Sequence, residues 1–276
     1  MEPWEPLPYR QRPPEIHMSQ DRQSDTHTDT DTATAASCFV SRGEARLHAI
    51  ALKYAVRRHG LDVNTVTAAT LLAAQVHRQQ RRELDGSPFL CHPLQAARLV
   101  CCWGGSTDDV VTAMLHDAAE DHLGGPSEML GHIQDLFGPA ISQRVAALTK
   151  NTTLPDRQAR ESDLMQRLNQ AVQTFGPGLA AVRLADRLHN LVTTSHLLPA
   201  ERLRLHASTL ACSVPLADSL GLDALAGFMV AGPAAWLCAP HDGFVSQMLA
   251  LQGPWLGGSV PARGGVPVHQ AQRSEL

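Results

Sequence analysis

Between residues 42 and 219 apolar positions recur at spacings of three and four, with polar or small residues between them. That period belongs to helices that bury one face. It predicts helices over 43–58, 64–80, 92–103, 107–121, 126–137, 139–149, 157–175, 179–197 and 199–219. Glycine pairs and Gly-Pro steps at 104–105, 124–125, 138–139 and 176–178 punctuate these runs, as breakers do. Pro93, Pro126, Pro139 and Pro199 stand near helix starts, where a missing N–H costs little. No stretch alternates as a half-buried strand would, so the fold class is all-α, a helical bundle.

The chain has 276 residues, 43% of them hydrophobic, enough for one substantial core. Residues 1–40 break the helical pattern. They are Pro-rich, then rich in Asp, Thr and Ser (SQDRQSDTHTDTDTATAAS). Such a segment buries too little apolar surface to offset its ordering entropy and is expected to be disordered. Its Asp/Thr repeat reads as a solvated tail, not a metal site. The expected organisation is this tail, a domain over 41–225, a helical extension over 226–256 that caps the bundle, and a disordered tail over 257–276. No run of 18 apolar residues occurs, so no membrane span is expected. The polar start does not resemble a secretory leader. A net charge of −4 lacks the basic excess usual in nucleic-acid binders. The six cysteines include the adjacent Cys101 and Cys102 and form no CxxC, which argues against a zinc ribbon or a disulfide framework. Reduced thiols in a cytoplasmic protein are expected.

Three segments carry the chemistry. AMLHDAAED (113–121) sets His116 and Asp117 side by side, with Glu120 and Asp121 following. LADRLHN (184–190) adds Asp186 and Asn190. On a helix, residues four apart share a face, so His116 is expected to point with Glu120, and Asp117 with Asp121. Carboxylates and imidazoles crowded on apolar helices are costly to bury without a cation. A metal ion with a water to activate is the simplest explanation. RRELDGSPFLCHP (81–93) brings His92 to the start of a new apolar run. His92, His116, Asp117 and Asp186 make a set of two imidazoles and two carboxylates, which suits Mn²⁺, Fe²⁺ or Zn²⁺ better than Ca²⁺ or Mg²⁺.

The order H…HDxxED…DRLHN resembles the HD-type hydrolase domain of the RelA/SpoT family. FGPAISQRVAALTK (137–150) is similar to that family's FG…V…TK segment, and VPLADSLGL (214–222) to its PLAxxLG segment. HRQQRRELDGSPFLCHP (77–93) resembles the stand-alone small alarmone hydrolases of the metazoan SpoT-homologue type. The resemblance covers roughly residues 65–225. It implies an HD-domain helical bundle and hydrolysis of the 3′-diphosphate of ppGpp or pppGpp to GDP or GTP and pyrophosphate, with one Mn²⁺ bound. The stretch after Leu222 is too short for the family's synthetase domain. Two other readings fit the same motifs: an NADPH 2′-phosphatase or other nucleotide phosphohydrolase, and a non-catalytic alarmone-binding module. The intact HDxxED set argues against the last. The substrate partner is therefore a nucleotide, and the oligomeric state is left open.

The resemblance also assigns roles. Glu120 and Asp121 take the catalytic part, as carboxylates able to steer or accept a water's proton. Arg81 stacks on the base and Arg82 serves the phosphates, both within the reach of guanidinium chemistry. Ser87, beside Gly86, presents a hydroxyl and backbone N–H groups suited to a phosphate. Asn190 and Thr193 follow Asp186 at near-turn spacing and are placed to bond a ribose or phosphate oxygen. Arg183 is expected beside the site rather than in it, and His189 near it but not a ligand. Arg157 and Arg160 are candidates for the distal phosphates. The sequence departs from the family in having Ala118–Ala119 inside the motif, Cys91 before His92, and Phe89 in place of a tyrosine.

Overall fold

A computed structural model describes residues 30–82, 86–193 and 198–236. Twelve helices are seen among them: α1 (Thr30–Arg58), α2 (Val63–Val76), α3 (Cys91–Cys102), α4 (Thr107–Leu115), α5 (Ala118–Asp121), α6 (Pro126–Phe137), α7 (Pro139–Leu148), α8 (Arg157–Phe175), α9 (Pro177–Val192), α10 (Pro199–Ser208), α11 (Val214–Ser219) and α12 (Asp223–Trp236). The described residues include no strand, and Arg81 and Pro88 make an isolated antiparallel bridge. No described helix is long and apolar enough to cross a membrane.

Helix α3 is central. It packs on α1, α4 and α9, and α4 in turn packs on α2, α7 and α9. Its residues Leu94, Ala96, Ala97 and Val100 are fully buried, as are Val110, Val111, Ala113 and Met114 of α4. Small residues on α3 let the neighbouring helices approach closely. α9 is buried along most of its length, from Gly178 to His189. A helix hidden on all sides should be apolar, yet α9 buries Arg183, Asp186, Arg187 and His189. Every one of these needs a partner inside the protein.

Helix starts are set by local chemistry. Asp62 caps α2 by accepting from the backbone N–H groups of Asn64 and Thr65. Ser106 and Asp109 form a reciprocal capping box at α4, which satisfies two otherwise orphaned donors. Asp109 also accepts from Arg144 Nη1 at 2.6 Å, tying α4 to α7. Gly178 packs against this carboxylate so closely that a Cβ would collide with it. Gly138 closes α6 and opens α7 at φ +87°, a conformation glycine adopts without penalty.

Several expectations are corrected. The helix expected over 107–121 is two: His116 and Asp117 keep right-handed helical dihedrals but form a turn between α4 and the single turn α5. α2 ends at Val76 rather than 80, with His77 as its C-cap. The run expected over 199–219 is interrupted by a π-helical turn, Thr209–Ser213, in which Val214 N–H bonds back to Thr209 O. Pro215 explains it, because a proline removes one bond of the ladder and crowds the carbonyl four residues back. α1 begins at Thr30, within the stretch expected to be a tail to residue 40. Ala33, Ala35 and Ala36 favour helix there. The rest of that tail, residues 1–29, lies outside the described residues, as do 237–256 of the expected extension and the 257–276 tail. In the described part of the extension, 226–236, Ala226 and Met229 join the main core, as Leu222 and Leu225 just before it do.

Candidate active site

The turn between α4 and α5 carries His116 and Asp117. On a continuous helix, neighbouring side chains diverge by about 100°. Here His116 Nε2 and Asp117 Oδ2 come within 3.2 Å of each other. α3 supplies His92, whose Nε2 lies 3.2 Å from His116 Nε2 and 3.5 Å from Asp117 Oδ2. α9 supplies Asp186, whose Oδ1 is 3.3 Å from His92 Nε2 and 3.7 Å from His116 Nε2. Ligands about 2.0–2.2 Å from a shared ion stand at about these separations from one another. The residues present therefore fit a divalent cation.

The bonds behind these donors point the same way. His116 Nδ1 donates to Ala113 O at 2.8 Å, which leaves Nε2 with its lone pair facing inward. His92 Nδ1 lies 2.9 Å from His189 Nδ1. Asp186 accepts from Arg183 Nη1 through Oδ2 at 2.8 Å and from Asn190 Nδ2 through Oδ1 at 2.6 Å. Partners of this kind orient metal ligands and fix their tautomers. Burial alone opposes charge on His116, but Asp117 and Asp186 outweigh it and raise its pKa well above the ordinary value. The field at this point favours a cation. Burial likewise opposes ionisation of Asp186, yet bonds to His116 and His92 and the charge of Arg183 hold its pKa well below the usual range.

Three of these candidate donors, His92, Asp117 and Asp186, face a cavity of about 530 Å³ also lined by Arg82, Phe89, Glu120, Asp121, Lys150, Arg157, Arg160, Glu161, Arg183, Arg187, Asn190 and Leu205. Glu120 accepts from both the backbone N–H and the ammonium of Lys150, at 2.7 and 2.9 Å. Burial works against the Lys150 charge, but Glu120, Asp117 and Asp186 raise its pKa. Asp121 Oδ2 faces His77 Nδ1 at 3.4 Å, and the His77 ring packs on Phe89 with centroids 4.8 Å apart.

The expected substrate residues divide. Arg82 and Asn190 line the cavity, whereas Arg81, Ser87 and Thr193 are not in its lining. Arg81 Nη1 donates to Gly86 O at 2.8 Å. Ser87 accepts the Arg82 backbone N–H through its carbonyl. Thr193 accepts from Arg82 Nη2 at 3.1 Å and donates to His189 O at 2.9 Å. Arg82 also reaches Asn190 Oδ1 and His189 Nδ1. Arg157 and Arg160 both line the cavity.

Four participants had no assigned role in the sequence. Lys150 closes the segment similar to the family's TK motif, a signal that could have found it. His77 opens the HRQQRR segment but sits far from the HD motif. Glu161 of α8 accepts from Arg183 at 2.7 Å and Arg187 at 2.8 Å. Nothing in the local pattern marks Glu161 or Arg187, because their partners come from another helix.

The family model for the HD domain matches residues 69–223, more than half of the chain. The chain is 31% identical over 191 residues to the GTP pyrophosphokinase rsh of Brucella melitensis, a match covering 66% of this chain and 25% of that protein. It is 35% identical over 135 residues to the guanosine-3′,5′-bis(diphosphate) 3′-pyrophosphohydrolase MESH1 of Mus musculus, covering 48% of this chain and 70% of that protein. A solved structure titled as a metazoan ortholog of SpoT that hydrolyzes ppGpp aligns at TM-score 0.47 and 18% identity, over 69% of this chain and 96% of that one. The chain thus spans about a quarter of the length of the Brucella relative and most of the mouse one. With the HD model matched across the described core and the mouse relative covered over most of its length, this chain belongs to the HD-domain family, on its RelA/SpoT-type branch.

Proposed function

We propose that this protein hydrolyses the 3′-diphosphate of guanosine alarmones, ppGpp and pppGpp, to GDP or GTP and pyrophosphate. The observation that carries this reading is the convergence of His92, His116, Asp117 and Asp186 at a cavity also lined by Glu120, Asp121, Arg157 and Arg160. The similarity to a relative named for this reaction supports the choice of substrate. His92, His116, Asp117 and Asp186 would hold the ion. Mn²⁺ is the assignment, since two imidazoles and two carboxylates suit it. When bound, such an ion polarises a phosphoryl oxygen and makes a nearby water more acidic.

The remaining work falls to this chain's own groups. A water oxygen attacks the phosphorus next to the ribose, the bond from that phosphorus to the 3′ oxygen breaks, and pyrophosphate leaves intact. Glu120 and Asp121 orient that water, accept its proton and pass it to the 3′ oxygen as the bond breaks. Lys150 holds the Glu120 carboxylate in place through its backbone N–H and its ammonium. Arg157 and Arg160 neutralise the distal phosphates. Asn190 bonds the sugar, and Arg81 turns from the Gly86 carbonyl to stack on the base. Thr193 serves through Arg82, and Ser87 through the backbone of the same loop. The cytoplasm is the proposed location, in keeping with Cys101, Cys102 and Cys212 forming no disulfide.

The test is a substrate panel of ppGpp, pppGpp, NADPH and deoxynucleoside triphosphates with Mn²⁺. Pyrophosphate release from the alarmones is the expected result. Orthophosphate from NADPH, with the alarmones untouched, would replace this reading by a 2′-phosphatase.

A further inference from the structure

We infer that Glu44, His48 and Cys91 form a second metal site, separate from the His92–His116–Asp117–Asp186 centre and suited to a thiophilic divalent ion of the zinc type. Glu44 and His48 are four apart on α1 and so share a face. His48 Nε2 lies 3.9 Å from Glu44 Oε1. Cys91 is the first residue of α3, the helix on which α1 packs. One donor atom from each of the three lies within 4.8 Å of the other two. An ion bonded at about 2.0 Å to nitrogen and oxygen and about 2.3 Å to sulfur holds its ligands roughly 3.3–3.8 Å apart. Side-chain rotation about existing bonds closes that difference.

The donor chemistry separates the two sites. A thiolate, an imidazole and a carboxylate favour zinc-like ions, whereas the first centre has no sulfur. An ion pair between Glu44 and His48 would not explain why a thiol joins them. Burial is graded in a useful way: Cys91 is buried, His48 half-buried and Glu44 exposed. An ion can enter along Glu44 and end against a dry sulfur. His48 is held neutral, the form that binds metal: burial lowers its pKa, Arg98 adds to the effect and Glu44 opposes it. Arg98 is a cation close enough to act on His48, and the Glu44 carboxylate opposes it. Cys91 takes part in no disulfide. Occupancy would staple α1 to the residue just before His92, fixing the first helix onto the one that carries a ligand of the other centre.

Cadmium is the probe, because a sulfur ligand gives it an ultraviolet charge-transfer absorption that nitrogen and oxygen ligands do not. Full-length protein saturated with Mn²⁺ is titrated with Cd²⁺. The expected band saturates at one ion per chain, disappears in Cys91→Ser, and needs at least about tenfold more Cd²⁺ in His48→Gln. It persists in His116→Ala, which disables only the first centre. The inference is overturned if no band appears, if Cys91→Ser leaves it intact, or if His48→Gln and Glu44→Gln leave the affinity unchanged. His48 and Glu44 are accessible enough that their variants report even if Cys91→Ser folds poorly.

Discussion

His189 presents its Nδ1 to His92 Nδ1 at 2.9 Å, and Arg82 Nη1 reaches the same nitrogen at 2.9 Å. His189 therefore accepts, and His92 donates from Nδ1 and keeps Nε2 for the metal. Burial, reinforced by His92 and Arg82, holds the His189 pKa well below its ordinary value, as an acceptor requires. His189→Ala should weaken metal binding by a factor of about 10–100, measured by competition with a chromophoric chelator. Unchanged affinity would mean that His92 is oriented without it. Chelation of the wild-type protein should abolish hydrolysis, and Mn²⁺ should restore it best among divalent ions.

Glu120→Gln combined with Asp121→Asn should retain metal and nucleotide but slow turnover at least about a hundredfold. His116→Ala should instead lose the metal. Metal content by elemental analysis, set beside single-turnover rates, separates the two. Near-normal turnover in the double variant would leave the Glu120–Lys150 pair with a structural role alone.

Arg81→Ala should raise KM about tenfold, equivalent to about 1.4 kcal/mol, without changing metal content. Arg81→Lys keeps the charge without the planar stack and should recover only part of the loss. Because Arg81 rests on the Gly86 carbonyl outside the cavity lining, an unchanged KM would mean that it stays there when substrate binds.

Glu161 ties Arg183 and Arg187 into the interior. Burial alone would raise its pKa, but the two guanidinium groups outweigh that and lower it below the ordinary 4.5. A lowered folded pKa gives stability that is present above the unfolded value and is lost as pH falls through the folded one. Glu161→Gln should therefore be less stable at pH 7 by about 2 kcal/mol. That gap should shrink on acidification below about pH 4.5. Thermal melts of both proteins across that range provide the check; a gap that does not depend on pH would remove the charge from the explanation.

The helical period was legible because each helix needs an apolar face toward the core, and that need is written locally at spacings of three and four. The candidate metal donors were legible as a group: imidazoles and carboxylates recurring together on apolar runs, in the order H…HDxxED…D, are costly to bury without a cation. Tertiary structure decided how they meet. Helical spacing alone pairs His116 with Glu120 on one face, whereas in the fold His116 and Asp117 meet at 3.2 Å and Glu120 is taken by Lys150. The support for Asp186 crosses helices, from Glu161 on α8 through Arg183 on α9, and the His92–His189 contact spans 97 positions. Such pairings follow from how buried charges find partners once the helices have packed, a condition that no local pattern in the chain encodes.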